Sequence, residues 1–154
     1  MSLILGPTDL RPETNKIEVY QVATAKEMFQ TAEALFPEQD IAIFSAAVSD
    51  YKPATESDQK IKKSGEAVTL ELEQNPDIAG SLGQSKTDKQ FTVGFALETE
   101  NAEENARQKL HEKNFDMVVL NRAGEVDSGM GRDHNRVQFI FSDNKSHSFE
   151  LKSK

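Results

Sequence analysis

Short apolar runs alternate along this chain with stretches whose apolar residues recur at helical spacing, and that alternation leaves few architectures open. Leu3–Leu5 is a short apolar run stopped by the turn Gly6-Pro7-Thr8. Ile17–Ala23 (IEVYQVA) alternates as a half-packed strand does. Thr24 is placed to cap a helix with apolar positions Met28, Ala32, Leu35 and Phe36, which Pro37 ends. Ile41–Phe44 then reads as a buried strand. Farther on, the pattern predicts a strand over Phe91–Phe95, a long helix over Glu98–Lys113, and a second buried strand over Phe115–Leu120, ending at Asn121. Strand–helix–strand order with short connections predicts a layered α/β fold with a largely parallel sheet. Val68–Glu73 (VTLELE) alternates cleanly and predicts an antiparallel addition. A terminal β-hairpin is expected from Arg136–Phe141 and His147–Leu151 about an Asp143-Asn144-Lys145 turn.

Length and charge narrow the function. A chain of 154 residues is expected to form one domain with a single substantial core. No apolar run approaches the roughly 18 residues that span a bilayer, and no secretion leader is visible. Cysteine is absent, which excludes disulfides and thiolate chemistry, and the three histidines (His111, His134, His147) show no metal-ligand spacing. A net charge of −8 argues against a general nucleic-acid binder. Lys60, Lys62 and Lys63 are therefore a local exception. They are either a solvated loop or a patch for an anionic small molecule.

In open α/β sheets, ligands bind beyond the carboxyl ends of the strands. Ser45-Ala46-Ala47, with Asp50 on the same loop, offers small side chains that let a ligand approach the backbone; tight packing is the plainer alternative. Asn75-Pro76-Asp77-Ile78 has the form of a helix start, with Asn75 as cap and Pro76 first in the helix, and free N–H groups there suit an anion. Gly94-Phe95-Ala96 places an aromatic ring where it stacks on a base or simply fills the core. Asn121 closes the last buried strand. On the long helix, Ala102, Ala106 and Leu110 form the apolar stripe, while Lys109 and Lys113 are spaced four apart beside it. Four residues before Lys109 stands Asn105 rather than an acid. No nucleophile elbow, Walker loop or dinucleotide fingerprint occurs. Ser128-Gly129-Met130-Gly131 precedes a polar stretch rather than a helix, and the segment Gly124–Asn135 is expected to be a mobile loop.

Taken in order, Ala46-Ala47-Val48-Ser49-Asp50-Tyr51-Lys52-Pro53, Lys60-Ile61-Lys62-Lys63, Asn75-Pro76-Asp77-Ile78, Val93-Gly94-Phe95-Ala96-Leu97-Glu98-Thr99, the Ala106–Lys113 helix and Asp116–Asn121 resemble the phosphopantothenate–cysteine ligase family. In many bacteria this ligase is fused behind a flavin-dependent decarboxylase. The resemblance spans roughly Ile4 to Phe141 and implies a three-layer, Rossmann-like α/β fold. Family members open with a strand and a Gly/Ser-rich nucleotide loop, whereas this chain opens at a strand that resembles a later one. The chain is accordingly expected to be a fragment of the ligase domain, inactive alone.

For the intact enzyme the resemblance implies coenzyme A biosynthesis: 4′-phosphopantothenate and cysteine are joined at the expense of CTP through an acyl-cytidylate. Mg2+ would accompany the triphosphate, and FMN would enter only with an upstream decarboxylase domain. The same resemblance implies a catalytic role for Lys60 and nucleotide contacts from Phe44, Ser45, Ala46, Asp50, Lys60, Pro76, Asp77, Ile78, Ala79, Phe95, Lys109 and Lys113. It implies a cytoplasmic homodimer, with no nucleic-acid or membrane partner. Leu97 stands where many relatives have Ala. CTP in bacterial relatives and other triphosphates in eukaryotic ones leave the nucleotide open. Two other readings stand beside it: a non-catalytic nucleotide-binding module, and a dimerisation domain pairing through its exposed strands.

Overall fold

The computed structural model describes residues 1–55, 57, 59, 60, 62, 65, 67–123 and 133–153. In chain order the first strands are β1 (Ser2–Leu5), β2 (Glu18–Gln21), β3 (Ile41–Phe44), β4 (Tyr51–Pro53) and β5 (Leu72–Gln74). They are followed by β6 (Phe91–Glu98), β7 (Met117–Arg122), β8 (His134–Asn135), β9 (Val137–Phe141), β10 (Ser146–Ser148) and β11 (Lys152–Ser153). The helices are α1 (Ala25–Leu35), α2 (Ile78–Ser85) and α3 (Ala102–Glu112), with a 3-10 turn at Phe36–Glu38. The described residues gather into two compact units, Met1–Ala32 with Ala47–Asp77, and Glu33–Ala46 with Ile78–Lys154.

In the first unit β1 and β2 pair in parallel, Ser2 opposite Glu18 and Leu5 opposite Gln21. The start of α1 is a reciprocal cap. Thr24 Oγ1 accepts from the Glu27 N–H at 3.1 Å, and the Glu27 carboxylate accepts from the N–H groups of Thr24 (3.2 Å) and Ala23 (2.7 Å). β4 and β5 form an antiparallel ribbon with a Lys52–Glu73 ion pair across it at 2.8 Å. This ribbon differs from the sequence expectation. Of Val68–Glu73 only its last two residues are strand, because the partner segment Tyr51–Pro53 offers just three residues to pair with.

The second unit is a five-stranded sheet in the order β10-β9-β7-β6-β3. β3, β6 and β7 run parallel, and β9 and β10 add antiparallel strands at one side, as the alternation predicted. One face is covered: Ala96, Val118, Leu120 and Ile140 pack with Ala102, Ala106 and Leu110 of α3 and with Phe115, and Phe44 and Ala79 lean on the cluster. The apolar stripe read on the long helix is thus its buried side.

Several boundaries move. β6 runs to Glu98, since Leu97 and Glu98 still pair with Asn121 and Arg122, and α3 therefore begins at Ala102 rather than Glu98. Ile41–Phe44 is a strand but not a buried one: as the sheet's edge it leaves Ile41 and Ile43 61% and 63% exposed. Phe115 lies outside β7, for a reason given below. The hairpin turns at Asn144, whose φ of 67° is left-handed, and its second strand stops at Ser148. β11 then pairs with β8, a short antiparallel contact that no sequence pattern announced. The expected loop over Gly124–Asn135 falls, as far as Arg132, outside the described residues, as do Ile61 and Lys63 of the lysine run.

Candidate functional site

The candidate residues divide between the two units. In the first, Asp50 and Lys60 are exposed, Pro76 is half-buried and Asp77 is exposed. Asn75 does not cap α2, which starts at Ile78, so Pro76 is not its first residue. Asn75 instead ties down the loop that holds Asp50: its Nδ2 donates to the Ser49 carbonyl at 2.9 Å and its own N–H to the Asp50 carbonyl at 2.8 Å. Both backbone acceptors are thereby satisfied, and Ser49-Asp50 is fixed without using the Asp50 carboxylate. A paired Asn and an Asn-Pro helix cap look alike in sequence, which is why this tie was missed.

In the second unit Phe44 ends β3 half-buried, and Ser45 and Ala46 follow it exposed. Here small, exposed side chains stand just past a parallel strand's carboxyl end. Ile78 is buried and Ala79 half-buried at the start of α2. Phe95 sits elsewhere than expected. It lies in mid-strand opposite Val119, because β6 continues three residues past it, and its ring stands 43% exposed on the face that α3 does not cover.

Lys109 and Lys113 occupy the last turn and the C-cap of α3. That helix starts beside Glu98, where Asn105 Nδ2 donates to the Glu98 carboxylate at 3.0 Å, and it exits beside Thr92. It therefore runs against the strands, and its lysine end lies towards their amino ends. There Gly83 of α2 comes so close that a methyl group on it would fall 1.9 Å from the Lys113 carbonyl oxygen. Both lysines are half-buried.

Two polar groups escaped the sequence reading or were seen there only as strand ends. Asn121, next to last in β7, has a buried Oδ1 with no hydrogen-bond partner among the described residues. Such an acceptor costs about 1–3 kcal/mol until a donor reaches it. At the amino end of the sheet, Asp116 Oδ2 accepts from the Thr92 N–H (2.7 Å), the Thr92 hydroxyl (3.0 Å) and Lys86 Nζ (2.8 Å). Partial burial alone would raise this carboxyl's pKa, but the three donors outweigh it and hold it below the usual aspartate range. Thr92 is fully buried, so the cluster is a clamp between β6 and the start of β7 rather than a ligand site. Among the described residues no three His, Cys, Asp or Glu side chains group as a metal site, and no helix is long and apolar enough to cross a membrane.

Fold and strand ends together define a layered α/β domain with a parallel core, extended at one side by antiparallel strands. The family model for the DNA/pantothenate metabolism flavoprotein C-terminal domain matches residues 1–154, and the chain belongs to that family. It is 44% identical over its whole length to a protein from an unknown prokaryotic organism named cysteine/cysteine sulfinic acid decarboxylase, 43% of which it covers. It is 39% identical, again over its whole length, to the coenzyme A biosynthesis bifunctional protein CoaBC of Haemophilus influenzae, 38% of which it covers. The chain thus spans about two fifths of the curated relatives it matches. A crystal structure of the C-terminal domain of a CoaBC protein superposes with a TM-score of 0.77 at 33% identity, over 99% of this chain and 65% of that one.

Proposed function

We propose that this chain belongs to the ligase part of a CTP-dependent phosphopantothenate–cysteine ligase of coenzyme A biosynthesis. One observation carries the reading: the carboxyl end of β3, where half-buried Phe44 is followed by the small, exposed Ser45 and Ala46 on a parallel sheet of this family. The names of the CoaBC relatives support the pathway.

In the reaction, a carboxylate oxygen of 4′-phosphopantothenate attacks the α-phosphorus of CTP and pyrophosphate leaves, giving an acyl-cytidylate. The amine of cysteine then attacks the acyl carbon, loses a proton, and CMP leaves with the bonding pair. Charge grows on phosphoryl oxygens in the first step and on the acyl oxygen in the second, so preorganised donors accelerate both. Lys60, exposed and mobile on its stem, is assigned that catalytic role. Phe44–Ala46 line the nucleotide through their backbone, Asp50 accepts from its ribose or base, and Pro76–Ala79 meet the cytosine end; Phe95, in mid-strand, and Lys109 and Lys113, at the amino ends of the strands, are assigned to the nucleotide by family resemblance alone. Mg2+ belongs to the triphosphate in this reading, held chiefly by phosphates and water rather than by a protein cage. FMN would belong to an upstream decarboxylase domain. The setting is cytoplasmic.

The partner we propose is a second copy. Tyr51, Val68, Leu70 and Leu72 are all more than half exposed on and beside the β4–β5 ribbon, an apolar strip suited to pairing. Light scattering over a concentration series tests it, a monomer throughout overturning it.

The ligase test joins this chain to the preceding part of a CoaBC C-terminal domain, 65% of which it covers, and follows pyrophosphate release and amide formation with CTP. Activity is expected to appear, and Lys60→Gln to remove most of it; full turnover by that variant overturns the assignment to Lys60. A second reading is a nucleotide-binding module without ligase turnover. It predicts that CTP binds but that no joined form makes the amide.

A further inference from the structure

Phe115 occupies an unusual position, and its surroundings lead to the end of β3. Helix α3 stops in a left-handed cap: Asn114 has a φ of 52°, its N–H reaches the His111 carbonyl at 3.2 Å, and the Phe115 N–H reaches back to Leu110 at 2.9 Å. These two bonds are the Schellman pair, and the apolar contact that accompanies such a cap is made by Phe115 and Leu110, both in the buried cluster. Asn114 Nδ2 donates to the Gly83 carbonyl at 2.8 Å, fixing the cap to α2. The Phe115 backbone is therefore held by two helices before β7 begins.

Its ring is held as tightly. A methyl group on Gly94 would lie 2.2 Å from Phe115 Cε2 and 2.5 Å from Cδ2, so the ring fills the space that a side chain at 94 would occupy. On β3, Phe44 is the direct partner of Gly94, and its ring stacks on Phe115 with centroids 5.7 Å apart and planes 24° from parallel. Since β3 is an edge strand bonded only to β6 among the described strands, this stack is its side-chain anchor on the covered face. An aromatic contact of this kind contributes about 0.5–1.5 kcal/mol beyond area burial.

We propose that Phe115 is a positioning residue for the nucleotide: through Gly94 and Phe44 it sets where the Phe44–Ala46 backbone stands at the carboxyl end of β3. The claim rests on the ligase reading for the nucleotide, but its structural half stands on its own. A smaller residue at 115 leaves the end of β3 unanchored, and a side chain at 94 pushes the ring against Phe44. The two changes are coupled, because removing the ring frees the room that a methyl at 94 needs.

The test uses Phe115→Leu, Gly94→Ala, their double variant and, as a control, Ile140→Val in the same buried cluster. Amide resonances of Phe44, Ser45 and Ala46 are followed by NMR without nucleotide. They are expected to shift in each single variant, to return towards the original positions in the double variant, and to stay put in the control. In parallel, CTP affinity is measured in the joined ligase and is expected to weaken about tenfold in Phe115→Leu, by analogy with the losses that small misplacements cause, and to be unchanged in the control. Amides that do not move in Phe115→Leu overturn the positioning role. Amides that move with CTP affinity unchanged overturn its bearing on the nucleotide. A joined protein that binds no CTP overturns the ligase reading, and the amide shifts still decide what Phe115 does. If Phe115→Leu fails to fold, the role is read from Gly94→Ala alone, where unmoved amides overturn it.

Discussion

The two faces of the five-stranded sheet carry similar side chains and very different surroundings. On one, Val118, Leu120 and Ile140 are at most 1% exposed beneath α3. On the other, Ile41, Ile43, Phe91, Phe95 and Leu97 are between 39% and 63% exposed, and only the central Val93 and Val119 are buried. Hydrophobicity along a strand therefore says that a face suits a cover; it does not say that the cover is in the same stretch of chain. The covered face should dominate this chain's stability.

Equal truncations on opposite faces sharpen this most. Leu120→Ala is expected to cost about 3 kcal/mol, against well under 1 kcal/mol for Ile43→Ala, as read by urea unfolding. Similar costs would break the comparison, since they would mean that the open face is packed in solution. Asp116→Asn should come next, at about 2 kcal/mol at neutral pH, for loss of charge-assisted bonds to Thr92 and Lys86. Its sign follows from the depressed carboxyl: the clamp is fully present above the ordinary aspartate pKa and is lost as pH falls through the lower folded value. Wild type and Asp116→Asn should thus converge in acid, and a constant gap from neutral to acid would sink the electrostatic account. Phe91→Ser with Leu97→Ser should change stability by less than about 1 kcal/mol in the same urea unfolding; a cost like that of Leu120→Ala would break the comparison. Smallest is Arg107→Ala, which removes an i,i+4 bond to Glu103 at 2.7 Å on the solvent side of α3 and should cost a few tenths of a kcal/mol.

Much of the covered face could be read from sequence. Ala102, Ala106 and Leu110 announce it by period alone, and the parallel core follows from the order of runs. Thr24 gave the start of α1 because a cap is a local device whose partners lie within one turn. The errors have a common cause. Phe115 reads as strand because it is apolar beside an apolar run, and only the left-handed Asn114 makes it the end of a helix. Asn75 reads as a cap because its true acceptor, Ser49, is 26 positions away. Burial of Ile41–Phe44 was over-read because edge position is a property of the assembled sheet. For the site, the small-residue end of β3 was visible as Ser45-Ala46-Ala47, while the mid-strand position of Phe95 and the amino-end position of Lys109 and Lys113 needed the strand and helix directions.

The lone pairing of β3 has a consequence in time as well as in space. β6 has hydrogen-bonded neighbours on both sides, so its amide protons should exchange with solvent only when the sheet itself opens. Along β3 the amides alternate between those turned to β6 and those turned away, and the second set has no strand partner among the described residues. Transferred to deuterated water, Ile41–Phe44 should therefore label in two waves, one nearly at once and one with the core, and the interval between them would measure how long the edge stays seated.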